Sequence, residues 1–336
     1  VSNNIYIDNG IDFETQQEEQ SMFSIGVDIG GSKIAAGVVD SEMNLVAKKA
    51  LPFPHTGNPM DSIDVIRSLI DTLIKENGLS IQDAVCIGLA VPGSIDYAKQ
   101  AVIDAHNLDY HGFPLGDHVR SLYPGCAVLV ENDANAAALA EYFCGAFRGC
   151  SSGLLITIGT GIGGGLVQDG KIFIGGMKNG FEFGHATLVF GGEKCTCGNP
   201  GCIESYCSAA ALVREGRKVA AAHHESALFT RAQGDLMKIN AKLVMDCARE
   251  GDEQAVQLYR LYTEYLGATV CTAVALFDPE IIAFGGGVSN DGEFLLAPIR
   301  EYAKKYAFFK HHAKIVAAEL HNDAGIVGAA VLYLQK

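Results

Sequence analysis

The sequence predicts an α/β protein built from two related halves that face one another across a cleft. Three observations carry this reading. An apolar run, a glycine turn and a second apolar run at 23–39 recur in the same form at 153–167. Strand-length apolar runs alternate with longer stretches of helical period. A third glycine-rich turn, Gly285-Gly286-Gly287, again follows an apolar run. Such an echo is the mark of a repeated structural unit.

Residues 23–27 (FSIGV) read as a strand, Asp28-Ile29-Gly30-Gly31-Ser32-Lys33 as a tight turn, and 34–39 (IAAGVV) as the returning strand. A third strand is expected near 45–52. Asp61-Ser62 can cap a helix that carries Ile63, Ile66, Ile70, Leu73 and Ile74 on one face and stops at Gly78. Strands at 84–91 and 126–130 follow, and the second ends in Glu131-Asn132-Asp133, where an alanine-rich helix over 134–147 begins. The pattern restarts with 153–158 (GLLITI), Gly159-Thr160-Gly161-Ile162-Gly163-Gly164-Gly165 and a hairpin turn at Asp169-Gly170. Beyond a cysteine-rich segment the chain turns mainly helical. A long helix over 252–277 points Val256, Tyr259, Leu266, Val270, Val274 and Phe277 inward and stops at Asp278-Pro279. Strand 280–284 enters the third glycine turn, and a last helix over 323–334 can fold back on the first half.

At 336 residues the chain can bury two cores. It is acidic, with 39 Asp and Glu against 25 Lys and Arg, and it has no Lys/Arg-rich run. That argues against a nucleic-acid partner held by phosphate contacts. Its apolar stretches are interrupted well before the ~18 residues of a membrane span. Residues 1–20 are acidic and Asn/Gln-rich with no hydrophobic signal core, so secretion is not expected. Ten cysteines scattered through a large chain fit reduced thiols in a cytoplasm. Cys86, Cys126, Cys144, Cys247 and Cys271 lie in apolar segments and read as core fillers.

The most specific cluster is Glu182-Phe183-Gly184-His185 followed by Cys195-Thr196-Cys197-Gly198-Asn199-Pro200-Gly201-Cys202-Ile203-Glu204. His185, Cys195, Cys197 and Cys202 make a Cys₃His set suited to one tetrahedral zinc ion, although any single cysteine here could be a small buried residue. Such a clip would fix the two bracketing carboxylates, Glu182 and Glu204, and suggests a polar ligand between them. The glycine turns offer backbone N–H groups to phosphate oxygens. Neither is a Walker loop, and a glycine hairpin without a ligand is common. Asp28 could meet Mg²⁺ beside the phosphates or simply form the turn. Asn132-Asp133 could be an ordinary helix cap or an exposed carboxylate that takes a hydroxyl proton during phosphoryl transfer.

In order along the chain, D-x-G-G-S-K at 28–33, E-N-D at 131–133, G-T-G-I-G-G-G at 159–165, E-x-G-H at 182–185 and C-x-C-G-x-x-G-C-x-E at 195–204 resemble the ROK family. That family holds sugar kinases and sugar-responsive repressors within the actin-like ATPase superfamily, and the resemblance spans about 23–330. It implies the two-domain actin-like (ribonuclease H-like) fold with a cleft between the domains. Residues 23–135 with 323–336 would form a small domain, 136–322 a large one with a zinc segment at 185–204, and 1–22 a tail. Asp133 would be the general base towards a sugar hydroxyl. Asn132, Glu182, His185 and Glu204 would bind other hydroxyls, with Gly93 and Asn107 closing the far side. His185 would place one ring nitrogen on zinc and the other towards the sugar.

The resemblance further implies that Gly30, Gly31, Ser32 and Lys33 meet the phosphates of ATP from one domain and Thr160 and Gly161 from the other. Gly285, Gly286 and Gly287 would line the adenosine pocket. ATP, Mg²⁺ and a structural Zn²⁺ are the implied cofactors, and a homodimer or homotetramer the implied assembly. Ala186-Thr187-Leu188 departs from the usual pattern and could bear on substrate choice. The leading expectation is glucose phosphorylation at the 6-position, with N-acetylglucosamine, N-acetylmannosamine, mannose, fructose or allose as alternatives. A sugar-sensing repressor is the other class, disfavoured because the acidic residues before the first strand show no helical period or basic character.

Overall fold

The computed structural model describes residues 22–178 and 180–335. The expected tail lies, but for Met22, outside the described residues. The first half runs β1 (Phe23–Ile29), β2 (Lys33–Asp40), β3 (Leu45–Pro52), α1 (Met60–Glu76), β4 (Ala84–Val91), β5 (Ser94–Asp96), β6 (Ala101–Ala105), β7 (Tyr110–Phe113), α2 (Leu115–Leu122), β8 (Ala127–Asn132) and α3 (Asp133–Cys144). The second half runs β9 (Ser152–Ile158), β10 (Ile162–Gln168), β11 (Lys171–Ile172), α4 (Glu204–Cys207), α5 (Ala209–Ala222), α6 (Ala227–Arg231), α7 (Ala241–Arg249) and α8 (Glu253–Phe277). It closes with β12 (Ile281–Gly285), α9 (Glu293–Tyr306), β13 (Lys314–Ala317) and α10 (Ala324–Ala330).

The echo read from the sequence extends through both sheets. Their strand orders are β3-β2-β1-β4-β8 and β11-β10-β9-β12-β13. In each, the first three strands pair antiparallel and the remainder parallel. The central strand β1 is apolar and buried along its length, as a strand covered on both faces must be, whereas β3 mixes half-buried with exposed positions as an edge strand.

Two helices are exchanged between the halves. α3 leaves the first sheet from β8 but packs on β9 and β10, while α10 leaves the second sheet from β13 but packs on β1, β2 and β4. They cross on small residues: Ala90, Ala136 and Ala329 form a buried contact. A Cβ on Gly88 would stand 1.8 Å from the Ala329 carbonyl oxygen, and one on Gly328 would stand 1.9 Å from that of Ala136. Only glycine permits this approach, so the expected fold-back of the C-terminal helix has a clear steric basis. That helix is shorter than expected, since a 3₁₀ turn over Leu332–Leu334 follows it.

Other element ends moved for local reasons. α1 starts at Met60, whose N–H is accepted by Asn58 Oδ1 at 3.2 Å; Asp61 instead accepts from the Thr56 and Asn58 side chains, and Ser62 is buried. In α8, Leu258, Tyr262, Leu266, Val270 and Val274 are buried, but Val256, Tyr259 and Phe277 are only half-buried. The helix ends as expected at Asp278, in the left-handed region at φ 43°. The three-stranded sheet β5-β6-β7 was not legible, because strands this short carry too few residues to show a period. All ten cysteines are free; Cys86, Cys126 and Cys247 are buried, and Cys144 and Cys271 are half-buried. Among the described residues no helix is long and apolar enough to cross a membrane.

Candidate active site

A cavity of about 1150 Å³ opens between the halves. From the first half it is lined by Asp28, Lys33, Gly93, Asn107, Asn132 and Asp133. Thr160, Gly161, Glu182, His185, Glu204 and Gly285 line it from the second, with Gly286 beside them. Thus most of the residues singled out in the sequence converge on one space. Gly30, Gly31, Ser32 and Gly287 are not in its lining. Gly30 donates its N–H to the Lys33 carbonyl oxygen at 2.9 Å inside the β1–β2 turn, and Gly287 opens a 3₁₀ turn after β12.

Asp133 is the first residue of α3. Burial pushes its carboxyl up, with N–H bonds opposing, among them that of Ala134, which donates to Oδ1 at 2.8 Å. Asp28, at the end of β1, is raised to about 6, first by burial and then by the Asp133 charge, against the pull of Lys33. Two poorly hydrated carboxylates therefore share one end of the cleft.

Asn132 is the cap of α3, so the plain reading of that residue holds. Its Oδ1 accepts from Ala134 and Asn135 N–H at 2.9 and 3.2 Å, and its Nδ2 donates to the Gly93 carbonyl oxygen at 3.1 Å. Both ends of this amide are used inside the protein. Gly93 has φ 97°, and a Cβ there would lie 2.1 Å from the Asp104 carbonyl oxygen, so β5 and β6 can close beside Asn132 only with glycine at this position.

His185, Cys195, Cys197 and Cys202 place their donor atoms within 4.8 Å of one another, a group that could hold a metal ion. His185 Nδ1 stands 3.6 Å from Cys195 Sγ. Glu204 opens α4 directly after this group; its Oε2 accepts from Ile162 N–H at 3.0 Å and its Oε1 from the Thr196 hydroxyl at 3.3 Å. Ala186-Thr187-Leu188 does not line the cleft. Ala186 and Leu188 bond to Ile203 and Gly201, and Thr187 bridges Cys202, so the segment braces the cysteine loop.

Sequence reasoning missed Glu131, Tyr97 and Asn135. Glu131 Oε1 accepts from Tyr97 Oη at 2.7 Å, Asn132 N–H at 2.9 Å and Asn135 Nδ2 at 3.0 Å. Burial raises this carboxyl while the three donors lower it. The available signal was a carboxylate closing the apolar run AVLV, which has to find partners once β8 is buried.

A family model described as the ROK family matches residues 24–336. A glucokinase of Streptomyces coelicolor is 39% identical over 314 residues, 92% of this chain and 96% of the relative. An N-acetylmannosamine kinase of Citrobacter koseri is 32% identical over 93% of this chain and 98% of its own length. Among solved structures, a ROK family glucokinase from Streptomyces griseus in complex with glucose and AMPPNP superimposes with a TM-score of 0.79 at 38% identity, covering 92% of this chain and 98% of that one. With the duplicated sheets, the crossed helices and the convergent cleft, these matches show that the chain belongs to the ROK family and is one of its sugar kinases.

Proposed function

We propose that this chain transfers the γ-phosphoryl group of ATP to a hexose hydroxyl, with glucose as the substrate and the 6-phosphate as product. The observation that carries the reading is Asp133: a half-buried, poorly hydrated carboxylate with a raised proton affinity, held at a helix start and lining the cleft between the halves. A base of this kind accepts the hydroxyl proton as the oxygen attacks phosphorus. The proton passes to an Asp133 carboxylate oxygen, and the Ala134 N–H on Oδ1 keeps that carboxyl in a fixed orientation. Lys33 and the N–H groups at Thr160 and Gly161 take the phosphate charge from opposite sides of the cleft. Asp28 would hold Mg²⁺, which neutralises charge on the phosphate oxygens.

Zinc fits the Cys₃His donors. Cys197 and Cys202 Sγ are 3.6 Å apart, close to the roughly 3.8 Å between sulfurs on a tetrahedral ion with ~2.3 Å bonds. All four positions would be filled by protein, so the ion would be structural. With Nδ1 on the metal, the His185 proton sits on Nε2, which then donates to a sugar oxygen. Glu182 and Glu204 accept from sugar hydroxyls on the same wall.

Glucose is favoured by the 39% identity to a glucokinase over nearly the whole chain. The N-acetylmannosamine kinase relative at 32% supports N-acetylmannosamine as the second reading. A coupled ADP-release assay with Mg-ATP across hexoses and N-acetylhexosamines tests both. The fastest turnover is expected on glucose; a preference for N-acetylmannosamine would replace the substrate, and no turnover on any sugar would overturn the kinase reading.

A further inference from the structure

Behind the Asn132–Asp133 junction lies a buried carboxylate with no ion pair among the described residues. Glu131 is 4% exposed and ends the apolar part of β8. Its Oε1 collects three hydrogen bonds from two pieces of the cleft wall. Tyr97 follows β5, the strand that Gly93 introduces. Asn132 caps α3, and Asn135 lies in the first turn of that helix.

The third donor is the most informative. Asn135 is 1% exposed, and its Oδ1 is the one buried side-chain polar atom without a partner among the described residues. The amide is turned so that Nδ2 serves Glu131 while its own oxygen goes unpaired. A fold tolerates such an unpaired group where another interaction outweighs it, and exceptions of this kind gather at functional sites. Asn132 Nδ2 makes a second tie to the same wall through the Gly93 carbonyl oxygen.

We propose that Glu131 is a positioning residue for phosphoryl transfer: through Tyr97, Asn132 and Asn135 it holds the Gly93–Tyr97 wall and the Asp133 helix start in one register. This rests on the reading of Asp133 as the base. A base works only within hydrogen-bond reach of the proton it takes, and a displacement of about 1 Å can cost about 100-fold in rate. A charged acceptor suits this place because a single carboxylate oxygen can serve three donors, each bond strengthened by the charge. The tie to Tyr97 bears on where the sugar wall sits; the ties to Asn132 and Asn135 bear on where Asp133 points.

The test compares Glu131→Gln, Tyr97→Phe and Asp133→Asn in the full chain, with kcat and sugar KM measured per folded molecule. Glu131→Gln, which weakens all three ties, is expected to lower kcat about 10- to 100-fold and to raise sugar KM severalfold. Tyr97→Phe is expected to raise sugar KM severalfold with little change in kcat. A purely structural role would lower melting temperature and leave kcat per folded molecule unchanged, and that result for Glu131→Gln overturns the proposal. Should Glu131→Gln not fold, an unchanged KM in Tyr97→Phe overturns it instead. Parent-like turnover in Asp133→Asn would remove the reading of the base itself, which is a separate failure.

Discussion

The two halves share a sheet order and strand sense, yet their equivalent positions carry different chemistry. Each central strand ends in isoleucine before its glycine turn, Ile29 in β1 and Ile158 in β9. The preceding residue faces the cleft in both, but it is Asp28 in the first half and Thr157 in the second. The helix starts repeat the contrast. Asn132-Asp133-Ala134 opens α3, and the same triplet recurs as Asn322-Asp323-Ala324 at α10. Asn132 caps its helix with two N–H bonds, whereas the second triplet follows His321 at φ 47° and α10 has no side-chain cap. Asp133 is poorly hydrated and without a salt bridge; Asp323 pairs with Lys48 at 2.8 Å near the surface. At these equivalent positions the duplicated scaffold has thus kept dehydrated aspartates in the first half only; the second half brings its own carboxylate raised by burial, Glu182, from the segment after β11. Asn322 and Ala324 also line the cleft, so what separates the two triplets is the aspartate: Asp133 lines the cleft, and Asp323 is taken by Lys48.

Replacing each aspartate in turn should break the symmetry most visibly. Asp133→Asn is expected to lose about 10²–10⁴ in kcat while retaining sugar binding by calorimetry. Asp323→Asn removes an ion pair whose side chains are 35% and 57% exposed, so stability should change by no more than about 1 kcal/mol and kcat should hold. Equal losses in the two variants would show that both helix starts serve the same purpose, and the contrast would be wrong.

The insertion between β11 and α8 is the second asymmetry, since it brings His185, Glu182 and Glu204 to the cleft and has no counterpart in the first half. Cys197→Ser should lower bound zinc, measured by metal analysis after dialysis against a chelator, and raise sugar KM about tenfold or more. Full zinc with a normal KM would mean that the cysteine loop does not position these side chains. Cys197 is the exposed member of the set, whereas Cys195 and Cys202 are buried.

Much of this arrangement was legible because its signals are local. Glycine turns after apolar strands, the Cys₃His spacing and the E-N-D triplet each sit within a few residues, and the cleft gathers most of them. The exchanged packing of α3 and α10 was only half visible: the Gly and Ala content of both helices is in the sequence, but which glycine meets which carbonyl is a matter of tertiary contact. The β5–β7 sheet was hidden by strand length, and with it the link from Tyr97 to Glu131. The dehydration of Asp28 was also hidden, since it depends on α10 returning from the far end of the chain to set Gly325 against its carboxylate, where an added Cβ would come within 2.6 Å.

That dehydration yields the sharpest check on the contrast. Asp28 is raised from 3.8 to about 6. A carboxyl that holds its proton more tightly when folded than when unfolded favours folding at low pH, and that contribution is lost as pH climbs through 6. Asp28→Asn removes the penalised charge. Without Mg²⁺ or nucleotide, the variant should therefore match the parent only below the unfolded value of 3.8, exceed it increasingly from there to about pH 6, and level off above that at about 1–3 kcal/mol. Thr157→Val, at the equivalent place in the second half, should shift stability by an amount independent of pH. Thermal melts of both variants and the parent between about pH 3.5 and 8 measure this directly. A gap for Asp28→Asn that stays constant with pH would mean that its carboxylate is as well hydrated as Asp323. The first half would then owe its chemistry to geometry alone, not to a store of dehydrated charge that Mg²⁺ and phosphate relieve on binding.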